Sequence, residues 1–247
     1  LTITLNGLFG RIERAFESHE NFIADASHQL KTPLAIMRGE LDVFRSKPRS
    51  AAEVEAFVES SAQEPQHLSR LLDDLLTLTK IDAGAGSLLL RKVRLDEILL
   101  ETVSRFETLA QRKNISIRFD LDDRTEGKSE SPFEVMGDPD LLQSMFRNLV
   151  DNAIKYSPDS SPVEVRLVNE MDRVEAHIRD FGETIDPEVA EKLFQRYERG
   201  NFRVSSVSGT GLGLTIAQRI AEMHGGNISI LQNNPPGKAF AVAMKKN

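Results

Sequence analysis

The chain has 247 residues and a formal net charge of −7, with 40% hydrophobic and 28% charged residues. These values are typical of a globular protein of one or two domains that buries a core without metal or disulfide support. The absence of cysteine excludes disulfides and thiolate metal sites, and the negative charge argues against a general nucleic-acid binder. No apolar run reaches the length of a membrane span, and the first residues lack the layout of a signal peptide. We expect a fragment of a longer protein.

Apolar residues in the first third of the chain recur at alternating spacings of three and four. They predict one long helix that ends near Pro48, followed by a second helix that begins at Ser50 or Ala51 and ends near residues 80–86. Ser50 is the expected N-cap, and Glu53 completes a capping box. Because two such helices leave a wide apolar stripe exposed, we infer a homodimeric four-helix bundle.

His28 lies on the first predicted helix, on the side that faces away from the apolar seam. An imidazole there is reached by solvent, titrates near neutral pH and keeps one nucleophilic nitrogen when neutral. Pro33 removes one backbone hydrogen bond and predicts a kink about one turn after His28. A lone surface histidine has no function in most cases, so the interpretation of His28 depends on the second half of the chain.

From residue 88 onward the pattern changes to mixed helices and strands. The predicted helices cover residues 94–112, 138–156, 187–194 and 212–224. The predicted strands cover residues 115–121, 135–136, 163–169, 173–179, 227–231 and 238–244. Asp138 is the expected N-cap of its helix, with Pro139 in the first turn. Helices on one face of a mostly antiparallel sheet form an α+β two-layer sandwich, and we expect the domain boundary within residues 82–90.

Three polar residues share one face of the predicted helix 138–156. Asn148 and Asn152 carry amide oxygens that can ligate a hard cation, and Lys155 carries an ammonium group that can meet a phosphate. Amides on a helix more often form a solvated face. This group therefore indicates a nucleotide site only together with other segments.

Two segments that contain glycine supply such evidence. Asp180 ends a predicted strand and precedes Gly182, where a carboxylate can accept a hydrogen bond from an exocyclic amine. The segment 209–214 is rich in glycine and opens a predicted helix, so its backbone N–H groups favour an anion. Each segment alone is weak evidence, and no strand precedes the second one as a dinucleotide-binding fold requires. The aperiodic residues 195–211 favour a nucleoside triphosphate held between a flexible lid and the helix.

Together with His28, these segments resemble the motifs of a sensor histidine kinase of two-component signalling. In chain order they match an H box at 27–34, an N box at 148–156, a G1 box at 180–185, an F box at 193–200 and a G2 box at 209–214. Five motifs in this order make the resemblance specific. The fold that it implies is an all-α helical hairpin, which forms a dimeric four-helix bundle, followed by an α+β sandwich of the histidine kinase, gyrase and Hsp90 ATPase type.

The resemblance divides the chain into three parts. Residues 1–20 resemble the exit of a membrane-proximal relay, residues 21–86 a dimerisation and phosphotransfer domain, and residues 87–247 a catalytic ATP-binding domain. The chain is then expected to be the cytoplasmic portion of a membrane-anchored receptor of the bacterial inner membrane. It is expected to form a homodimer and to act on the receiver domain of a response regulator.

The implied activity is ATP-dependent autophosphorylation of His28, followed by phosphotransfer to an aspartate of the regulator. Gln29 and Thr32 belong to the implied catalytic residues, and Thr32 would orient a water that dephosphorylates the regulator. Mg²⁺ would be held by Asn152 together with Asn148. The residues implied to bind ATP are Asn148, Asn152, Lys155, Tyr156, Asp180, Gly182, Gly209, Thr210, Gly211, Leu212 and Gly213.

Within this set the resemblance implies separate tasks. Lys155 would neutralise phosphate charge, Tyr156 would cover the adenine, and Asp180 would read the adenine amino group. Phe194 and Tyr197 would anchor the lid. Asn148 stands where hydrolytic relatives of the fold place a glutamate base, and because an amide cannot activate water, transfer to protein is favoured over hydrolysis.

Two residues depart from the family pattern. Gln29 stands where an acidic residue usually follows the histidine, and an amide fixes the imidazole tautomer but cannot take up its charge. Thr184 replaces a second glycine, and if that position needs a positive φ, threonine is unfavourable and weakens ATP binding. Two alternatives therefore stay open. One is a chain that acts mostly as a phosphatase through Thr32, and the other is a pseudokinase, a dimeric relay without chemistry.

We expect Gln29→Glu to speed autophosphorylation, because a carboxylate can accept the imidazole proton and stabilise the developing charge. The measurement is the initial rate of label incorporation from γ-labelled ATP, with His28→Ala as the unlabelled control. An unchanged or lower rate would contradict this interpretation of Gln29.

Overall fold

The computed structural model describes residues 27, 29–61, 63–82, 88–125, 131–185, 192–194, 211–231 and 237–246. The chain divides into two compact units, Leu1–Leu76 and Thr77–Asn247. Among the helices of these described stretches, none combines the length and the apolar character that crossing a bilayer requires.

Helices α1, α2 and α3 form the N-terminal part of the chain. They cover residues 29–45, Ala51–Ser61 and Gln63–Asp82. The predicted helix end before Pro48 is confirmed, and so is the capping box at the start of α2. Glu53 N–H donates to Ser50 Oγ at 3.3 Å, and Ser50 N–H donates to a Glu53 carboxylate oxygen at 2.9 Å.

The turn between α1 and α2 is held by an aromatic pair and an arginine. The rings of Phe44 and Phe57 stack with centroids 4.0 Å apart, and the Arg49 guanidinium lies 5.3 Å from the Phe44 centroid. Arg49 also donates to the carbonyl oxygen of Val43 at 2.9 Å. These contacts close the hairpin at its loop end.

Large apolar side chains remain exposed along the three helices. They are Leu34, Ile36, Leu41, Val43, Val54, Val58, Leu72 and Leu76. Monomeric soluble proteins rarely expose an apolar surface of this extent. The exposure agrees with the predicted homodimer, which would bury such a stripe.

The second unit is built on a five-stranded mixed sheet and a two-stranded ribbon. In chain order its elements are β1 (Arg91–Arg94), α4 (Leu95–Arg112), β2 (Ser116–Asp123), β3 (Glu134–Gly137), α5 (Pro139–Tyr156), β4 (Pro162–Asn169), β5 (Arg173–Asp180), a 3₁₀ turn (Lys192–Phe194), α6 (Gly213–Met223), β6 (Asn227–Leu231) and β7 (Lys238–Lys245). The large sheet has the order β2-β4-β5-β7-β6, and β1 pairs with β3. The β2 and β4 strands are parallel, and the other neighbours are antiparallel.

The core lies between the large sheet and helices α4, α5 and α6. Val165, Ile178 and Phe240 pair across three central strands and are buried, as are Phe146 and Leu149 of α5. Alternate positions of β2, β4 and β5 carry charged side chains, which form ion pairs on the other face of the sheet. The predicted α+β two-layer sandwich is confirmed.

Two strand features differ from the sequence-based prediction. Strand β1 was not predicted, because Arg91–Arg94 contains a single apolar residue, Val93, and forms by pairing with β3. Strand β2 continues to Asp123 instead of ending at residue 121. Its polar end is stabilised by the parallel partner β4, where Arg166 contacts Asp122 at 2.7 Å.

Asp138 joins three segments of the second unit. Its Oδ1 accepts hydrogen bonds from the backbone of Asp140 (3.1 Å) and Leu141 (3.3 Å), as expected of the predicted N-cap of α5. Its Oδ2 accepts from Leu89 N–H at 3.2 Å. Its own N–H donates to Nε2 of His224 at 2.9 Å, which ties the start of α5 to the end of α6.

We expect Asp138→Ala to lower the free energy of unfolding by about 2 kcal/mol, because three backbone donors lose their acceptor. Urea unfolding followed by circular dichroism measures this loss. Asp138→Asn keeps one acceptor oxygen and should lose less than half as much. Equal stability of the alanine variant and the wild type would contradict the role of Asp138 as a cap.

Candidate functional site

A buried ion pair lies where β5 ends and β7 begins. Asp180 is the last residue of β5 and pairs in register with Lys238, the first residue of β7. Lys238 Nζ lies 2.9 Å from Asp180 Oδ1, and the two side chains are 5% and 1% exposed. Gly182 N–H donates to the same oxygen at 3.0 Å. Asp180 Oδ1 therefore has two donors.

The second carboxylate oxygen of Asp180 is different. Oδ2 is buried and has no hydrogen-bond partner among the described residues. Burial raises the pKa of Asp180 above its ordinary value, against the opposing effect of Lys238. Because a buried acceptor without a donor costs free energy, Oδ2 is a candidate partner for a ligand N–H group.

The end of α5 lies directly against the turn that follows Asp180. A Cβ atom at Gly182 would lie 2.1 Å from the carbonyl oxygen of Tyr156, so only glycine fits there. Lys238 Nζ lies 5.3 Å from the centroid of the Tyr156 ring. Gly237 has φ +111°, and a Cβ at Gly237 would lie 2.1 Å from Asp180 O. Two glycines thus allow α5, β5 and β7 to meet around one carboxylate.

The polar face of α5 extends away from this turn. Asn148 Nδ2 is buried without a partner among the residues that the structure describes. Lys155 Nζ lies 2.5 Å from Asp151 Oδ2, while Asp151 Oδ1 is buried and also lacks a partner in the described part. Asn152 is half-buried on the same helix. Sequence reasoning missed Asp151, although its position four residues before Lys155 indicates an ion pair.

The start of α6 approaches this face. A Cβ at Gly213 would lie 3.5 Å from the side-chain oxygen of Asn148, which is ordinary contact. Gly211 has φ +72°, a left-handed conformation that favours glycine, and Leu212 is fully buried. The side-chain amide of Asn148 thus lies against the first residue of α6, where backbone N–H groups are donors for an anion.

Four of the predicted site residues lie outside the described part of the chain. They are His28, Tyr197, Gly209 and Thr210. On α1, Gln29 is half-buried and Thr32 is exposed. The structure thus brings together those predicted nucleotide-binding residues that lie on α5, at the end of β5 and at the start of α6. The roles predicted for the other site residues stay predictions.

Two family models match the chain. The model of the "His Kinase A (phospho-acceptor) domain" matches residues 18–84, a range that includes His28. The model of the "Histidine kinase-, DNA gyrase B-, and HSP90-like ATPase" matches residues 137–247, a range that includes α5, Asp180 and α6. The chain belongs to the sensor histidine kinase family. The recognition made from the five sequence motifs is confirmed.

Curated relatives support the family assignment over nearly the whole length of the chain. The sensor-like histidine kinase SenX3 of Mycobacterium tuberculosis is 30% identical over 237 residues, which cover 96% of this chain and 55% of SenX3. The signal transduction histidine-protein kinase ArlS of Staphylococcus aureus is 32% identical over 246 residues, which cover 98% of this chain and 52% of ArlS. The chain spans about half the length of the curated relatives that it matches.

Solved structures of similar proteins agree with the fold of the kinase. The catalytic domain of the histidine kinase ThkA is 25% identical, with a TM-score of 0.54, and the match covers 64% of this chain and 97% of that domain. The Acinetobacter baumannii histidine kinase AdeS has a TM-score of 0.67 at 22% identity, over 89% of this chain and 98% of AdeS. The second likeness supports the fold alone.

Thr184 does not carry the backbone strain that its replacement of a glycine suggested. It is exposed, and the non-glycine residues with positive φ in the described stretches are Asn114 and Ser160. Threonine therefore lies outside the left-handed region and needs no glycine-like conformation. The backbone conformation of Thr184 therefore gives no reason to expect weakened ATP binding.

Lys238 is a second residue at the site that sequence reasoning missed. It lies 58 positions after Asp180, and only the pairing of β5 with β7 brings the two together. The available signal was a lysine directly after Gly237 at the start of an otherwise apolar strand. A charged residue at such a position is rarely buried unless it is paired.

We expect Gly182→Ala to lower the free energy of unfolding by about 2 kcal/mol, because the new methyl group would overlap the Tyr156 carbonyl oxygen. Gly213→Ala is the matched comparison, since its Cβ makes ordinary contacts in a helix and should leave stability almost unchanged. Chemical denaturation of both variants measures the difference. Equal stabilities would contradict the close approach at Gly182.

Proposed function

We propose that the chain binds ATP between α5, the turn at Gly182 and α6, phosphorylates itself on His28, and transfers the phosphoryl group to an aspartate of a response regulator. The observation that carries this proposal is Asp180, a buried carboxylate with one unpaired oxygen within the region matched by the ATPase family model. Adenine carries one exocyclic amino group, and its N–H donors are the kind of partner that this oxygen lacks.

The adenine end of the proposed site is formed by Asp180 and Tyr156. Asp180 Oδ2 would accept the amino N–H, while Oδ1 stays bonded to Lys238 and Gly182 and so holds the carboxylate in place. The half-buried Tyr156 ring, near Lys238, would cover the base. Recognition by hydrogen bonding in a buried pocket gives strong discrimination, because a base without the amine leaves Oδ2 unpaired.

The phosphate end is formed by donors of α5 and α6. Asn148 Nδ2 and the backbone N–H groups after Gly211 would donate to phosphate oxygens. Lys155, which pairs with Asp151 in this structure, would exchange that carboxylate for a phosphate. Thr210 and Gly209, which precede Gly211, would extend the same cradle.

Mg²⁺ fits this site through amide and phosphate oxygens. In the described part of the chain, no group of three or more His, Asp or Glu residues could hold a metal ion. Asn152 and Asn148 each carry a side-chain oxygen that would ligate the ion. When bound, the ion neutralises phosphate charge.

The phosphoryl transfer needs one nucleophile and no hydrolytic base. A ring nitrogen of His28 attacks the γ-phosphorus, the bond from phosphorus to the bridging oxygen breaks, and ADP leaves with that electron pair. The other ring nitrogen of His28 then releases its proton to solvent water, because the Gln29 amide cannot accept it. A carboxylate oxygen of the regulator then attacks the same phosphorus and the N–P bond breaks. Asn148 cannot activate water, which favours transfer over ATP hydrolysis.

The proposed partners follow from the family. ThkA has been solved in complex with the response regulator protein TrrA, and that ThkA structure shares this fold, with a TM-score of 0.70 at 21% identity over 95% of this chain. We therefore propose a receiver domain as partner and a homodimer that buries the exposed apolar face of the helical hairpin. We also propose that the chain is the cytoplasmic portion of a membrane-anchored sensor, as its similarity to sensor kinases such as QseC and SenX3 suggests.

One observation favours a second candidate function, a kinase that acts mostly as a phosphatase. Gln29 lacks the carboxylate that would assist the imidazole, while Thr32 is exposed on α1 one turn after His28. A threonine hydroxyl there would orient a water towards the phosphoaspartate of a bound regulator. The kinase reaction would then be slow, and dephosphorylation would dominate.

Incubation of the chain with γ-labelled ATP and Mg²⁺ tests the proposed kinase reaction. We expect label that is stable to base, labile to acid and absent from His28→Ala, because a phosphohistidine N–P bond breaks in acid. Nucleotide binding without any label would contradict the kinase and support a pseudokinase.

Phosphate release from a phosphorylated receiver domain tests the phosphatase reaction. We expect Thr32→Ala to reduce the release rate by about tenfold or more, with autophosphorylation of His28 retained. Loss of both reactions in this variant would contradict a separate task for Thr32.

A further inference from the structure

Lys113 closes the C-terminal end of α5 from outside the nucleotide site. Its Nζ donates to the carbonyl oxygens of Ile154 at 2.9 Å, Lys155 at 3.1 Å and Ser157 at 2.8 Å. The last carbonyl groups of a helix have no partner within the helix. One ammonium group thus satisfies three of these acceptors, at the end of the helix dipole that favours a cation.

The backbone of Lys113 is held as firmly as its side chain. Its N–H donates to Ala110 O at 3.0 Å, and Asn114 with φ +52° ends α4 in the left-handed conformation typical of a helix terminus. The carbonyl oxygen of Lys113 accepts from Ser160 N–H at 2.9 Å. Asp159 lies 4.0 Å from Nζ but is 77% exposed, so this ion pair adds little.

The turn that Lys113 caps borders the Asp180–Gly182 turn. Tyr156 lies between the capped residues, and its carbonyl oxygen is the atom that leaves no room for a side chain at Gly182. The Tyr156 ring lies beside Lys238, which is bonded to Asp180. A shift of the last turn of α5 therefore displaces both the aromatic face and the turn that holds the carboxylate.

We propose that Lys113 is a positioning residue for nucleotide binding, which fixes Tyr156 against the Asp180–Gly182 turn without touching the nucleotide. This inference rests on the proposed ATP site. Loosening the end of α5 weakens adenine binding but leaves Asn148, about two turns earlier on α5, and the start of α6 in place. The KM for ATP should therefore change while the rate at saturating ATP stays the same.

The test compares three variants of the full chain. Lys113→Met keeps the apolar stem and removes the donors, and Lys113→Arg restores charged donors. Lys92→Met is the matched control, because it removes an ion-paired lysine of the same unit that contacts Glu134 at 2.8 Å. The measurements are the Kd for ATP by titration calorimetry, and the KM and maximal rate of His28 labelling.

For Lys113→Met we expect Kd and KM to rise about tenfold with a maximal rate within about twofold of wild type, which corresponds to about 1.4 kcal/mol of binding. Lys113→Arg should bind ATP more tightly than Lys113→Met, and Lys92→Met should match the wild type. An unchanged Kd, an equal loss in Lys92→Met, or a loss confined to the maximal rate would overturn the inference.

Further results separate a failure of this inference from a failure of the proposed function on which it rests. If Lys113→Met does not fold, Lys113→Gln, which keeps a neutral donor, takes its place. We expect its Kd for ATP to lie between the wild-type value and a value ten times higher. A wild-type Kd for Lys113→Gln would overturn the inference. A wild-type chain that does not bind ATP would contradict the proposed function itself. Wild-type binding together with unaltered Lys113 variants would contradict the positioning role alone.

Discussion

The site depends on one buried carboxylate whose two oxygens differ. Asp180 Oδ1 is bonded to Lys238 and Gly182, while Oδ2 lacks a partner in the described structure. A buried ion pair is costly to desolvate and adds little stability by itself. Its value here is geometric, because the two donors fix the carboxylate and leave Oδ2 as the acceptor that we propose for the nucleotide. The close packing at Gly182 and Gly237 allows this arrangement.

Helix α5 contributes both to the core and to the proposed nucleotide site. One of its faces supplies Phe146 and Leu149 to the core, and the other carries Asn148, Asn152 and Lys155. Its first turn is capped by Asp138, which also bonds to the end of α6 through His224. Because the core face cannot rotate without loss of packing, the polar face keeps a fixed direction relative to β5 and α6.

The sequence predicted the parts of this arrangement that depend on local pattern. The strong periodicity of 139–156, the Asp138 cap and the alternation in β4 and β5 are local properties, and the structure confirms them. The five motifs identified the family, which the two family models confirm. The position of Asp180 at the end of a strand was also visible from the sequence.

The long-range partners could not be predicted in the same way. Lys238 meets Asp180 because β5 and β7 pair in register. Lys113 contacts the end of α5 although it lies 41 to 44 residues earlier in the chain. A single sequence carries no signal for such pairs, because hydrophobic periodicity assigns a face but not a neighbour. The short strand β1 was missed for a related reason. Its composition does not indicate a strand, and it forms because it pairs with β3.

The most direct test of the role of Asp180 Oδ2 is to compare the affinities of the chain for ATP and for inosine triphosphate. Inosine triphosphate has a carbonyl oxygen in place of the adenine amino group. If Asp180 Oδ2 accepts a hydrogen bond from that amine, the inosine nucleotide leaves the oxygen unpaired and places a second acceptor against it. We expect ATP to bind at least about a hundredfold more tightly than inosine triphosphate. Equal affinities for the two nucleotides would contradict it.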